Sequence, residues 1–380
     1  MVMLIIMVLG AATVLLSSLS SAALQINRDK INANALAQAK EALIGYAVTS
    51  ENGSGTNARP GNFPCPDTDA PNTAGYGDEN AVPTCVSGAI GRLPWETLGM
   101  PELLDGEGEP LWYAISGNFR KSATRINSDS RGTLLVYDRD GGTLLTPSGS
   151  EAVAIVFAPG GIIGDQKRNT AADKTAASNY LDTANGRNNA TAGGAFIAAS
   201  KTSAFNDRLI IVRARDFIPA IEKRVSKEVK AMLANYFADN GFYPYPAKFD
   251  GSCTGASCNT FSDINVCRGR LPKTALPFDW QYNYSFPAWF FTNRWYHDIY
   301  YSAGANRLAT APPGCGATLN VSGNSTAALF FMPGTPLGSM VRTYPSNNLS
   351  LYLEDAENRN MDDSYSTPAP NSNDRLHALP

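Results

Sequence analysis

Histidine is almost missing from this 380-residue chain, which has only His297 and His377. Neither has an evident serine or cysteine nucleophile as partner. No G-x-S-x-G, H-E-x-x-H or P-loop pattern occurs. The usual sequence signs of triad hydrolases, zinc peptidases and P-loop enzymes are therefore absent. Glu102, Asp105, Glu107 and Glu109 lie close in sequence, but sequence alone gives no carboxylate separation to judge. The expectation is a protein that is not an enzyme. Charge is scarce too, at 17% of residues with a net of −3. Nucleic-acid binding calls for clustered lysine and arginine and a basic balance, so no nucleic-acid partner is expected from this composition. The first stretch is uncharged altogether, since residues 1–24 contain no charged side chain and no proline.

What is present there is a long helical pattern. Residues 1–24 read MVMLIIMVLGAATVLLSSLSSAAL, enough apolar length to cross a bilayer. Charges arrive together at Arg28, Asp29 and Lys30. Leu36, Ala39, Leu43 and Tyr46 then recur at steps of three and four, keeping one face apolar. The pattern predicts one helix of about 48 residues, about 70 Å long. A cleaved signal peptide would explain the apolar half, but no basic residue precedes Arg28. A single-span anchor would explain the apolar half without explaining the amphipathic continuation.

An apolar N-terminal half, then a polar half, then a globular head: residues 1–40 resemble the N-terminal helix of type IV pilins and type II secretion pseudopilins. The resemblance implies a subunit stored in the bacterial inner membrane. It would polymerise with copies of itself into an extracellular or cell-surface filament, served by pilus or secretion assembly machinery. Met1, Leu4, Ile5, Leu9, Leu15, Leu16, Leu24, Leu36 and Leu43 are the expected assembly positions. The uncharged start fits this family if a basic leader has been removed and Met1 is the mature start. The family's usual glutamate at the fifth mature position is then Ile5, as in some minor pseudopilins at filament tips. A minor tip subunit and a membrane-anchored surface binding protein that never polymerises are the alternatives.

The remaining chain is rich in Gly (33) and Pro (24) and suits a loop-rich α+β exterior. Short apolar runs at 111–115, 133–137, 152–157 and 209–212 predict strands. A second amphipathic helix is expected from Asp216, through Ile221, Val225, Val229 and Met232, to a stop at Asn240-Gly241. Around it the first half recurs in order. Phe63-Pro64-Cys65-Pro66 compares with Tyr243-Pro244-Tyr245-Pro246, and Gly91-Arg92-Leu93-Pro94 with Gly269-Arg270-Leu271-Pro272. Val156-Phe157-Ala158-Pro159-Gly160 compares with Phe330-Phe331-Met332-Pro333-Gly334, and Asn206-Asp207-Arg208-Leu209 with Asn373-Asp374-Arg375-Leu376. Such a series predicts a tandem duplication. The expected organisation is an assembly helix at 1–49 and two helix-plus-antiparallel-sheet, pilin-like heads at 50–215 and 216–380.

Six cysteines suggest an oxidising compartment. Cys65 and Cys85 flank a polar loop and are expected to be bridged. Cys253, Cys258, Cys267 and Cys315 admit three pairings, with Cys253–Cys258 and Cys267–Cys315 preferred over a zinc site. Within the first loop, Asp67, Asp69, Asp78 and Glu79 are candidate calcium ligands, lacking EF-hand spacing. The plain alternative is a solvated acidic turn, and no other cofactor is expected. Phe278, Trp280, Tyr282, Tyr284 and Phe286 alternate as on a strand face, which suggests core or interface before a sugar-binding platform.

Overall fold

The computed structural model describes residues 2–50, 59–80, 85–86, 88–121, 123–249, 260–280, 287–338, 340–342 and 348–380, with backbone alone for residues 2–21. The fold is mixed α+β. Helix α1 spans Val2–Thr49 without a break. The chain turns back at Gly61, whose N–H bonds the Ala47 carbonyl at 2.7 Å with φ +97, a conformation that favours glycine.

Two four-stranded antiparallel sheets follow. The first has β1 (Ile90–Arg92), β2 (Trp112–Ile115), β3 (Ala152–Ala158) and β4 (Arg208–Arg213), neighbours in that order. The second has β5 (Arg268–Arg270), β6 (Tyr300–Ala303), β7 (Ala328–Met332) and β8 (Arg375–Leu379), in the same kind of order. Helix α2 (Ala214–Asn240) follows β4 directly. Asp216, expected as its N-cap, is the third helical residue and accepts from the Arg213 N–H at 3.0 Å. Gly241 ends the helix in the left-handed conformation.

The core is built around α2. Phe217, Ile218, Ile221, Val225, Val229, Met232, Leu233 and Tyr236 are all buried. They share one cluster with Leu36 and Leu43 of α1 and with residues from both sheets. The strand period of two then divides β7: Ala328, Phe330 and Met332 face this cluster, while Leu329 and Phe331 enter a second cluster on the other face. β3 is likewise covered on both faces, and all seven of its residues are buried.

The two sheets carry corresponding contacts. Gly91 faces Tyr113 and Gly269 faces Tyr301 across their strand pairs. The Tyr113 hydroxyl donates to the Pro64 carbonyl at 3.2 Å, and the Tyr301 hydroxyl to the Pro244 carbonyl at 3.0 Å. Phe157 lies between Trp112 and Leu209, and Phe331 between Tyr300 and Leu376. Arg168 donates to the Gly160 and Asn179 carbonyls and covers the Tyr180 ring. Arg342 donates to the Gly334 and Leu351 carbonyls and covers the Tyr352 ring. Pro159 and Pro333 each follow the third strand of their sheet.

Polar groups join the halves. Asp129 pairs with Arg342 at 3.3 Å, both fully enclosed, and accepts from the Tyr352 hydroxyl at 3.3 Å. Asn293 accepts from the Ile126 N–H and donates to the Pro60 carbonyl. Glu222 of α2, 1% exposed, accepts from the Ser128 hydroxyl.

Two predictions follow from this packing. A Cβ at Gly91 would sit 2.4 Å from the Asp67 carbonyl oxygen, and one at Gly269 2.0 Å from the Ala247 carbonyl oxygen. Gly91→Ala and Gly269→Ala should each destabilise by about 1–3 kcal/mol in thermal unfolding. Gly45→Ala, facing open space on α1, should stabilise by about 0.5–1 kcal/mol. The second prediction concerns pH. Burial pushes the Glu222 carboxyl up to about 7 from its ordinary 4.5, against the opposing Ser128 bond. The folded chain holds this proton where the unfolded chain has lost it. Its stabilising contribution is complete below about pH 4.5 and is lost as pH rises through 7, by roughly 3 kcal/mol. In Glu222→Gln, Tm should therefore fall less than in the wild type between about pH 5 and pH 8. Parallel profiles would count against a buried, protonated Glu222.

Candidate assembly surface

α1 belongs to the head for only part of its length. Ala35, Leu36, Ala39, Leu43 and Ala47 are buried along one face, at the helical spacing of three to four. Lys40 anchors this part through Asp216 at 2.7 Å and the Ile211 carbonyl at 3.0 Å. Arg224 of α2 donates to the Val48 carbonyl at 3.1 Å. Towards the N-terminus the side chains open to solvent, with Leu24 60% and Ile26 70% exposed.

This corrects part of the expected assembly set. Leu36 and Leu43 are enclosed within the fold and present almost no free surface. Leu24 is exposed, and the side chains of Met1, Leu4, Ile5, Leu9, Leu15 and Leu16 lie outside the described residues. Among the described residues, no helix is long and apolar enough to cross a membrane.

Where α1 leaves the head, an acidic hairpin grips it. Leu104 bridges Pro110, and Asp105 closes the loop by accepting from the Glu107, Glu109 and Gly160 N–H groups at 2.8, 3.0 and 2.6 Å. The tip reaches α1: Glu107 pairs with Arg28 at 2.9 Å, and the Gly106 N–H donates to the Asn32 side chain at 2.6 Å. A Cβ at Gly106 would lie 2.6 Å from the Arg28 carbonyl oxygen, so glycine permits this approach. Glu109 turns to Arg168 at 2.8 Å, and Glu102 accepts from the Tyr76 hydroxyl. The four acids thus serve four separate contacts. Their role at the helix is invisible in sequence, because Arg28 and Glu107 meet only in the fold.

The calcium candidates do not converge either. Asp67 is buried, pairs with Arg92 at 3.5 Å and accepts from the Gly77 and Asp69 N–H groups. Glu79 pairs with Lys121 and accepts from the Cys65 N–H, while Asp78 accepts from the Thr97 hydroxyl at 3.4 Å. Among the described residues, no three His, Cys, Asp or Glu side chains form a group able to hold a metal. Asp67, Asp78 and Glu79 instead fasten the loop through hydrogen bonds.

Cys65–Cys85 and Cys267–Cys315 are disulfides. Cys253 and Cys258 lie outside the described residues. The expected aromatic strand is corrected at Trp280, which is helical and buried; Tyr282, Tyr284 and Phe286 lie outside the described residues. Phe278 is half exposed and stacks on Phe242. Trp289, Phe290, Trp295, Tyr296, Tyr300 and Tyr301 are core residues. His297 is buried, and burial lowers its pKa to about 3. His377 stacks on Phe330, and burial lowers its pKa to about 4. Both imidazoles are neutral at pH 7.

The two parts of α1 should respond differently to truncation. Leu43→Ala should cost about 2–5 kcal/mol of head stability in chemical denaturation, through lost burial and a cavity. Leu24→Ala and Ile26→Ala should change it by no more than about 0.5 kcal/mol. Equal losses at all three positions would mean that the exposed end is also part of the head.

No protein-family model, curated protein or solved structure matches this chain.

Proposed function

We propose that this chain is a structural subunit of an extracellular bacterial filament of the type IV pilin kind. It is held in the inner membrane before assembly and polymerises with copies of itself through the apolar first half of α1. The observation that carries the reading is the division of α1. The helix docks into its head through residues 35–47, yet continues with Leu24 and Ile26 bare into an uncharged apolar sequence. Exposed apolar surface is unfavourable in water and favours enclosure by lipid or by neighbouring helices.

Residues 50–215 and 216–380 are read as two tandem pilin-like heads produced by duplication. The common strand order, the paired Tyr113 and Tyr301 bonds and the paired Arg168 and Arg342 bonds support this reading. Only the first head carries the apolar extension, so each chain brings one helix to the filament.

A minor subunit at the filament tip is the second reading. It is favoured by the lack of any carboxylate before Asp29, which leaves nothing in the apolar half to pair with a neighbour's N-terminal amine.

Leu9→Lys should abolish assembly, because a lone charge in an apolar helix bundle is costly. Electron microscopy of sheared surface filaments, with mass spectrometry of their subunits, reads the outcome. Normal filaments from the variant would sink the proposal. This chain at one copy per filament would select the tip reading, and surface protein without filaments would select a non-polymerising anchor.

A further inference from the structure

Far from α1's exposed end, arginines gather where the two halves meet. A cavity of about 130 Å³ opens between residues 130–132 and 149–151, the start of α2 and residues 335–338. Arg131, Arg213 and Arg215 line it with a single carboxylate, Glu151. Glu151 already accepts from the Gly149 N–H at 2.9 Å. Asp216, the next residue of α2, is engaged by Lys40 and the Arg213 N–H. Arg131 gives one N–H to the Met340 carbonyl, and Arg213 gives one to the Leu145 carbonyl. The Arg213 Nε is enclosed without an acceptor among the described residues. Burial, and then the charge of Arg215, hold the Arg213 guanidinium below its usual pKa. An adjoining cavity of about 320 Å³ shares Ser130 and Arg131 and adds Arg125 and Arg342. Its carboxylate, Asp129, is closed off by Arg342 and Tyr352.

Like charges brought together in a chain of net charge −3 repel one another, and an anion between them relieves this. The planar guanidinium fork matches the oxygens of phosphate and sulfate and can hold them bidentately. The smaller cavity has room for a group several times the size of a water molecule. We propose that the junction binds a phosphate or sulfate group between Arg131, Arg213 and Arg215. The three arginines belong to the first half of the chain, and residues 335–338 of the second half complete the lining. The inference is independent of filament assembly.

The test uses the full-length chain in detergent, titrated with inorganic pyrophosphate or sulfate at matched ionic strength and followed by calorimetry and thermal unfolding. Saturable one-site binding that raises Tm is expected. Preference for pyrophosphate would assign the site to phosphate groups, and preference for sulfate to sulfate groups. Arg131→Ala and Arg215→Gln should each weaken binding about tenfold or more, the order expected for a lost charge-assisted hydrogen bond. Arg139→Ala, at an exposed arginine beside Asp140, should leave binding unchanged. If Arg131→Ala does not fold, Arg215→Gln carries the test, because that side chain is exposed. Absence of saturable binding, or equal weakening by Arg139→Ala, would overturn the proposal.

Discussion

The burial of α2 against α1 and both sheets is the constraint on which the rest of the molecule depends. Its apolar positions cover more than the narrow stripe of a surface helix, because Phe217, Ile218, Ile221, Val225, Val229, Met232, Leu233 and Tyr236 are all enclosed. A helix buried this broadly must be covered from several directions. α1, β4 and β8 supply the covering, and they come from both halves of the chain. Removing α2 would open the largest hydrophobic cluster in the molecule, which runs from Ala35 to Leu379. The halves resemble each other in sheet order but do not own separate interiors.

The junction is also polar, which makes its geometry specific. Asp129 and Arg342 are enclosed together, 213 residues apart in sequence. A buried ion pair of this kind is weak evidence for stability, since desolvation offsets much of the attraction. Removing one partner alone is far more damaging, because a charge would be left buried and unpaired. Sliding one half against the other would have the same effect. Asn293, which bonds Ile126 and Pro60, adds a directional restraint at the same seam. Apolar burial therefore drives the halves together, and the polar pairs select one arrangement.

α1 has two physical roles along one continuous backbone. Between Ala35 and Ala47 it is a core element, with small alanines allowing close approach to the head. Beyond Asn32 the contacts become peripheral: the Arg28–Glu107 pair, the Gly106 approach and the Lys201–Gln25 hydrogen bond. Exposed ion pairs contribute little stability, so these contacts orient the emerging helix more than they hold it. The hairpin at 104–110 is braced in turn by Asp105 on Gly160, at the end of β3. The direction in which α1 leaves the head is thereby coupled to the central strand of the first sheet.

Much of the local structure was legible in the sequence. The uninterrupted helical pattern of residues 1–49, the short apolar runs that became β2, β3 and β4, and the stop at Gly241 follow rules that act over a few residues. The bridges Cys65–Cys85 and Cys267–Cys315 were also expected, and Gly91 and Gly269, matched in sequence, each lie opposite a tyrosine in their strand pairs. Tertiary structure decided what no local rule contains. It enclosed Leu36 and Leu43 while leaving Leu24 bare, sent Glu107 to Arg28 and Glu109 to Arg168, and fastened the presumed calcium ligands to Arg92, Lys121 and backbone amides. It also made α2 common to both halves. Periodicity says that a helix has an apolar face, whereas the surface that covers each turn of it depends on residues more than a hundred positions away.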